Sequence, residues 1–231
     1  MESSEFDKFA AEYCALHAAN MGISGEHPEY FAEYKIADLA REYQSRHDGV
    51  SPAILDFGAG IGTSVPFLRK HLPGARLKCI DVSKKSLELG ERRFPGQAQF
   101  LHFDGKQIPF ADSSMDIVFA ACVFHHISHD EHAALYGEFH RVLRSRGMAL
   151  VYEHNPYNPL TVHTVKACPF DENAQLIAAS SISKKMKAVG FSQVRVRYRV
   201  FFPRFLRALR NLEHWMTWLP LGAQYYVLAV K

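Results

Sequence analysis

Three glycines at alternating positions open the part of the sequence best suited to chemistry. Gly58, Gly60 and Gly62 follow a short apolar run, and glycine lacks the Cβ atom that would keep the backbone away from a ligand. A strand that runs through such a turn into a helix leaves a ligand-sized gap beside the positive end of the helix. Asp56 stands two residues before the first glycine. A carboxylate there would repel a pyrophosphate, so the stretch favours a cationic ligand.

A dinucleotide site is the main alternative for this loop. Its fingerprint, Gly-x-Gly-x-x-Gly, holds pyrophosphate at the helix N-terminus. The sequence has Thr63 where that fingerprint has its third glycine. A nicotinamide-dependent reductase is therefore a second, less favoured interpretation, and a tight strand-to-helix turn without a ligand is a third.

Four titratable side chains follow two later apolar runs and could move a proton. His125 and His126 come after the fourth predicted strand, and Glu153 and His154 end the fifth. Ligands of parallel sheets sit at the carboxyl ends of the strands, and histidine titrates near neutral pH. We therefore expect a general base among these four residues. The alternatives are a cofactor contact for either histidine of the first pair and a structural hydrogen bond for Glu153.

The histidines also raise the question of a metal site. His125, His129 and His132 have the spacing of one helical face, and zinc needs three or four converging ligands. No cysteine pair or carboxylate motif completes such a set nearby. A helix start and solvent exposure explain His129 and His132 more simply, so the sequence predicts no metal.

Acidic residues also follow the second and third predicted strands. Asp81 lies a little over twenty residues beyond Gly58, where an acidic group can accept both hydroxyls of a ribose. A helix-cap carboxylate is the alternative. Asp104 and Gly105 follow the third strand and by themselves predict only a turn.

The order of these features resembles the class I S-adenosylmethionine-dependent methyltransferases of the type 11 and type 25 kind. The resemblance rests on the glycine motif with its Asp56, on Asp81, on Asp104 and on the tract 108–118, which contains Pro109-Phe110. Its motifs cover roughly residues 50–155, and the rest of the chain is similar in layout. No pattern at the substrate end points to one substrate.

This resemblance implies a cofactor and a reaction. S-adenosylmethionine would bind and leave as S-adenosylhomocysteine after in-line displacement at the sulfonium methyl, with the protein supplying position and electrostatics. Asp104 would take the adenine amino group. The implied cofactor-binding residues are Asp56, Gly58, Ala59, Gly60, Gly62, Thr63, Asp81, Val82, Phe103, Asp104, Gly105, Ala121 and Cys122.

Strands alternate with helices five times, which predicts an α/β fold with a parallel, doubly wound sheet. The resemblance implies a Rossmann-like, seven-stranded, mostly parallel sheet whose last strand is antiparallel. We expect one domain over 1–231, with an N-terminal helical lid at 1–48, a cofactor-binding core at 49–155 and a substrate-side region at 156–231.

Outside the motifs, hydrophobic periodicity predicts the remaining elements. Helices are expected over 5–47 with a break at 21–25, over 129–144, over 174–189 and over 205–219. A proline-locked loop is expected from 155 to about Asp171, a half-exposed strand around 194–200 and a last strand over 224–230.

Composition narrows the partners. The 231 residues are 48% hydrophobic and 22% charged with a net charge of +3, which is typical of a globular protein and too mild to indicate nucleic acid. No apolar run is long enough to span a membrane. The four cysteines show no paired spacing, and the N-terminus has no signal-peptide core, so we expect a cytoplasmic protein with free thiols.

The basic C-terminal part keeps a phosphate or membrane surface among the possible partners. Residues 173–212 hold nine Lys or Arg and no acidic residue, most simply a solvated face. Trp215 and Trp218, beside arginines, could lie on a membrane surface or cover the substrate. Nucleic-acid methylation is disfavoured because residues 121–124 carry no Asn/Asp-Pro-Pro-Tyr motif.

From the sequence we therefore expect methyl transfer to a small-molecule or lipid-linked acceptor. A binding module that keeps the cofactor fold without activity is the other alternative. The sequence does not indicate an oligomeric state.

Overall fold

A computed structural model describes residues 28–47, 51–168, 171 and 173–231. Its centre is a sheet of seven strands in the order β3-β2-β1-β4-β5-β7-β6. The strands are β1 Ala53–Phe57, β2 Arg76–Asp81, β3 Gln99–His102, β4 Met115–Ala121, β5 Leu143–His154, β6 Gln193–Arg199 and β7 Gln224–Val230.

Strand directions confirm the predicted topology. The strands β1 to β5 pair in parallel with their neighbours. The last strand, β7, lies antiparallel between β5 and β6. Because the first strand is central and the chain crosses over on both sides of it, the carboxyl ends of β1, β2 and β4 meet at one edge, where ligands of such sheets bind.

Helices cover both faces of the sheet, and each face has its own apolar core. Strands β1 and β7 are buried along their whole length, as expected for strands that are covered on both faces. The described α-helices are α1 Pro28–Gln44, α2 Val65–His71, α3 Lys84–Arg93, α4 His132–Val142, α5 Pro159–Ala167, α6 Ala179–Ala188 and α7 Glu213–Met216. None of these helices is long and apolar enough to cross a membrane.

A buried carboxylate fixes α1 against the sheet. Asp38 is fully buried and accepts hydrogen bonds from Tyr152 at 2.6 Å and from Arg199 Nε at 2.7 Å. Arg41 pairs with its other oxygen at 2.8 Å. These bonds join the predicted lid to β5 and β6. The part of the predicted lid at 1–27, including the expected break at 21–25, lies outside the described residues.

The structure corrects the predicted ends of two helices. The helix expected over 129–144 is α4, which ends at Val142, and β5 begins at the next residue, Leu143. Leu143 is buried and pairs with Met115 of β4, so sheet pairing takes this residue from the helix. The helix expected over 174–189 begins only at Ala179.

The loop expected between 155 and 171 contains α5. Asn158 caps this helix by accepting the backbone N–H of Thr161 at 3.0 Å, and Pro159 is its first residue. Asparagine at the cap and proline at the first helical position are both helix-start signals. The prediction was wrong for 159–167 because Pro159 was assigned to the loop and not to the first position of a helix.

The prediction of a long amphipathic helix over 205–219 is also wrong. A 3-10 segment, Arg204–Leu212, bends at Leu206 and is followed by the short α7. Its apolar side chains do not pack on the sheet: Phe205, Trp215 and Trp218 are 81%, 73% and 68% exposed. Without a buried face, the segment lacks the tertiary packing that supplies most helical stability.

Candidate functional site

A cavity opens at the carboxyl ends of the first four strands, with a volume of about 110 Å³. Six of the predicted cofactor residues line it: Gly58, Asp81, Val82, Phe103, Asp104 and Gly105. Its remaining walls are Phe57, Lys106, Val123, Ile127 and Glu131. Residues from four separate segments of the sequence therefore meet around one space.

The glycine loop follows β1 and contributes Gly58 to the cavity wall. The N–H groups of Gly58 and Ala59 both donate to the carbonyl of Ile80, which ties the loop to β2. A Cβ on Gly58 would lie 2.5 Å from the side chain of Val123, whereas a Cβ on Gly60 would meet nothing within 4 Å. Gly58 is thus needed for packing, whereas a Cβ on Gly60 would enter open space.

Three predicted cofactor residues, Gly62, Thr63 and Ala121, do not line the cavity. A Cβ on Gly62 would lie 3.0 Å from the ring of Phe100, so a close helix-to-strand contact explains this glycine. Thr63 is half-buried and does not line the cavity. Ala121 packs against the core on the α1 side of the sheet.

Asp81 holds the loop from the neighbouring strand. One carboxylate oxygen accepts the Gly60 N–H at 2.8 Å, and the other accepts the Ser83 N–H at 2.9 Å. Burial raises the pKa of Asp81, against the lowering effect of these N–H groups. Since a carboxylate has further lone pairs, Asp81 can still accept from a ligand in the cavity it lines.

Asp56 lies beneath the loop rather than in the cavity. It is 4% exposed and accepts a hydrogen bond from the Ser64 hydroxyl. Burial raises its pKa to about 7, with Ser64 opposing and Asp81 adding to the shift. Ser64 precedes α2 but makes no side-chain cap, because its hydroxyl donates to Asp56 instead.

Asp104 forms the outer wall of the cavity. Its exposed carboxylate accepts the N–H groups of Gln107 at 3.0 Å and Lys106 at 2.8 Å, and these bonds lower its pKa. The residue therefore makes the expected Asp-Gly turn and also faces the cavity.

Glu153 is the most enclosed of the four predicted proton-transfer residues. It is fully buried. Its carboxylate accepts the N–H groups of Val123 at 3.1 Å and Phe124 at 2.8 Å, and it lies 2.6 Å from His125 Nδ1. Burial alone would raise the pKa of Glu153, but His125 outweighs it and lowers the pKa. Glu153 thus fixes the turn that carries the two histidines.

His125 and His126 converge on one carboxylate. Asp171 Oδ1 lies 3.3 Å from His125 Nε2 and 3.4 Å from His126 Nε2. Burial would lower the pKa of His125, but Glu153 and Asp171 outweigh it and raise the pKa. Burial and the charge of His125 lower the pKa of His126 to about 4.

His154 has a different set of neighbours. Its ring lies 5.3 Å from that of His125, between centroids, and its Nδ1 is 3.4 Å from Gln224 Nε2. Lys35 Nζ donates to the Cys122 thiol at 3.2 Å. Burial would raise the pKa of Cys122, but Lys35 and His154 lower it to about 6. Cys122 also has a φ of +58°, which turns the chain at the end of β4.

Sequence reasoning therefore named the four residues that the structure brings together, but it missed Asp171 and Gln224, which contact them, and Lys35, which contacts Cys122 beside them. Asp171 was expected only as the end of a loop, and Lys35 and Gln224 as parts of a helix and a strand. Lys35 gave a signal, because a lysine on the buried face of an amphipathic helix needs a partner. Asp171 gave none.

The sequence and fold match known proteins over this same region. Residues 55–151 match the family model described as a methyltransferase domain. A demethylmenaquinone methyltransferase of Thermotoga maritima is 30% identical over 105 residues, which are 46% of this chain and 44% of the relative. A ubiquinone/menaquinone biosynthesis C-methyltransferase of Ectopseudomonas mendocina is 31% identical over 131 residues, 53% and 50% of the two chains. The chain thus spans about half the length of these relatives.

Solved structures are similar over more of the chain. A SAM-dependent methyltransferase from Archaeoglobus fulgidus has a TM-score of 0.67 at 15% identity and covers 87% of this chain and 94% of its own. A possible histamine N-methyltransferase from Thermotoga maritima has a TM-score of 0.68 at 15% identity and covers both chains fully. At this identity the likeness shows the fold.

Proposed function

We propose that this chain is a class I S-adenosylmethionine-dependent methyltransferase that transfers the methyl group of this cofactor to a small-molecule or lipid-linked acceptor. Its fold and the match of residues 55–151 to a methyltransferase domain support this proposal. The cofactor supplies an electrophilic methyl group on a positively charged sulfur. The chain supplies binding, orientation and a proton acceptor where the substrate must lose a proton.

The shared cavity is the observation that carries this proposal. Asp81, buried at the end of β2, suits a ribose, and Asp104 at the rim suits an adenine amino group. The open space beside Gly60 leaves room for the methionine part of the cofactor. Asp56 lies beneath the loop, and a cationic sulfur bound close to it would favour the ionised form of this carboxyl, whose pKa burial raises to about 7.

On the acceptor side we assign different roles to the four predicted residues. Glu153 is a positioning residue, because its carboxylate is fully buried and engaged by two N–H groups and by His125. His125 and His126 face Asp171. His154 is half-buried and contacts an amide and a thiol. We therefore assign proton acceptance to His154.

A second cavity supports an acceptor of small-molecule size. It measures about 430 Å³ and borders Asp171, with walls that include Val162, Lys166 and Leu176. Ligand sites of this kind combine apolar walls with a few polar groups. Two of the relatives are named for menaquinone methylation, which favours an aromatic or lipid-linked acceptor.

Contact with a membrane surface is part of the lipid-linked alternative. The exposed Phe205, Trp215 and Trp218 lie in a segment that also carries three arginines, a combination found in interfacial segments. A cytoplasmic location stays a prediction; among the described residues Cys79, Cys122 and Cys168 are free thiols.

Methyl transfer is tested with labelled cofactor and pools of acceptors. The full chain is incubated with methyl-labelled S-adenosylmethionine and pools of phenols, quinols, carboxylic acids and amines, and S-adenosylhomocysteine is measured. We expect release with at least one pool and a loss of about ten-fold or more in His154→Gln. His163→Gln, at an exposed histidine of α5, is the control. Cofactor binding without release from any pool would favour an inactive binding module.

A further inference from the structure

Three side chains at the acceptor edge form a cluster with the composition of a metal site. One nitrogen of His125, one nitrogen of His126 and one oxygen of Asp171 all lie within 4.8 Å of one another. His125 and His126 sit in the turn after β4, whereas Asp171 follows α5. Two imidazoles and one carboxylate are a donor set that borderline divalent ions such as Zn²⁺ accept.

The supporting contacts are those that metal-binding histidines use. His125 Nδ1 lies 2.6 Å from Glu153 Oε2, and Glu153 is fully buried. When Nδ1–H donates to Glu153, Nε2 is directed at Asp171. A histidine that binds a metal through one nitrogen commonly donates its other N–H to a carboxylate, which fixes the ring orientation.

The distances fit a shared ion better than direct hydrogen bonds. The two nitrogen-to-oxygen separations are 3.3 and 3.4 Å. Charge-assisted N–H···O bonds are shorter, about 2.7–2.9 Å. Ligands held about 2.0–2.1 Å from a tetrahedral Zn²⁺ lie about 3.3–3.4 Å apart along each edge. Two edges of such a site are already present, and the ligand nitrogens of the two histidines lie within 4.8 Å of each other.

We propose that His125, His126 and Asp171 bind one divalent ion of the zinc class, with Glu153 as the positioning residue behind His125. Asp171 also borders the second cavity, so an acceptor oxygen bound there could take the fourth coordination position and lose its proton more readily. This catalytic use rests on the proposed function; ion binding itself does not.

The proposal differs from the sequence prediction of no metal. That prediction considered His129 and His132 as partners of His125. The structure uses His132 differently, because its Nε2 contacts the carbonyl oxygens of Phe124 and Ile127, each at 3.0 Å. His129 is exposed. The carboxylate that completes the cluster lies 46 residues beyond His125 in sequence (171 − 125), beyond the reach of local spacing.

The binding test uses tag-free full-length protein after chelator treatment, without cofactor or acceptor. Zn²⁺ is titrated by calorimetry against a competing chelator, and Co²⁺ is titrated with visible absorption as a sign of tetrahedral coordination. We expect one site that Asp171→Asn and His126→Gln weaken at least about ten- to a hundred-fold. The exposed His163→Gln should bind as the wild type does. Because Asp171→Asn removes one charge partner of the buried His125, its melting temperature without metal is measured first, and the titrations are run at a temperature where the wild type and the variant are both folded.

Equal Zn²⁺ affinity in the wild type and in Asp171→Asn would overturn the site, as would a wild type that binds no ion. A proton held by His125 between two carboxylates would then account for the cluster. Since no S-adenosylmethionine is present, failure of cofactor binding does not affect this outcome. If the ion binds but chelator leaves methyl transfer unchanged, the catalytic use is overturned.

Discussion

Replacing Glu153 with glutamine should separate positioning from cofactor binding. The carboxylate accepts three donors, from Val123, Phe124 and His125, at 3.1, 2.8 and 2.6 Å. Glutamine keeps one carbonyl oxygen for the two backbone N–H groups. Its NH₂ group would face the Nδ1–H of His125, so one buried donor meets another.

The size of the effect follows from this loss. A hydrogen bond to a charged group contributes about 1.5–3 kcal/mol, and a buried donor without an acceptor costs about 1–3 kcal/mol. We expect Glu153→Gln to lower the free energy of unfolding by about 3 kcal/mol. For a chain of this size, that corresponds to a melting temperature lower by about 6–12 °C. Turnover should fall about ten- to a thousand-fold, since the histidines lose their fixed orientation.

The assay pairs cofactor titration with single-turnover methyl transfer at a temperature where the variant is folded. Affinity for S-adenosylmethionine should stay within about three-fold, because most of the cavity walls, among them Asp81 and Asp104, lie on other strands, and of these walls Glu153 bonds to Val123. Glu138→Gln is the matched control: Glu138 accepts the N–H of Ile108 at 2.9 Å and pairs with Arg141, away from this edge. It should lose stability and keep turnover. If Glu153→Gln loses cofactor but methylates normally at saturation, the assigned division of roles is wrong.

Three further predictions address the cofactor edge. Asp81→Asn should weaken S-adenosylmethionine binding about five- to a hundred-and-fifty-fold, since a buried acceptor is lost, with Glu88→Gln on the exposed face of α3 as the calorimetric control; unchanged affinity would remove the ribose assignment. Asp56 has a pKa of about 7 in the folded state against 3.8 in the unfolded state, so the folded state retains its proton to higher pH. The stability that this group contributes is therefore present below pH 4 and falls as the pH rises to 7, by at most about 4 kcal/mol. The melting temperature of wild type relative to Asp56→Asn should therefore decline over that range, and a constant difference would contradict the assignment. Cys122, with its pKa of about 6, should be alkylated before Cys79 and Cys168 at pH 7, and Lys35→Met should slow its reaction; equal rates in mass spectrometry of the wild type and the variant would show that Lys35 does not activate the thiol.

Much of the fold could be predicted because strands that are buried on both faces leave a continuous apolar run in the sequence. The last strand occurs over the predicted residues 224–230, and it is buried throughout. Hydrophobic periodicity predicted the C-terminal segment 205–219 less well. The apolar stripe over 205–219 predicted a helix packed on the sheet or lying on a membrane, but in the structure those side chains are exposed and the backbone is mostly 3-10.

The cofactor edge of the site was accessible from sequence for a topological reason. Gly58, Asp81 and Asp104 each directly follow a strand, and the carboxyl ends of parallel strands meet. The acceptor edge was only half accessible, because Asp171 and Lys35 reach it from a segment after α5 and from α1. Contacts of that kind depend on how helices pack against the sheet, and a single sequence carries no local pattern for them.

Calorimetric titration of the full chain with S-adenosylmethionine tests the central claim most directly. We predict one binding site for S-adenosylmethionine and no comparable binding of NADH. We also predict loss of S-adenosylmethionine binding in Gly60→Val, whose side chain would occupy the open space beside the loop. Tighter binding of NADH than of S-adenosylmethionine, or unchanged S-adenosylmethionine binding in a folded Gly60→Val variant, would contradict the account.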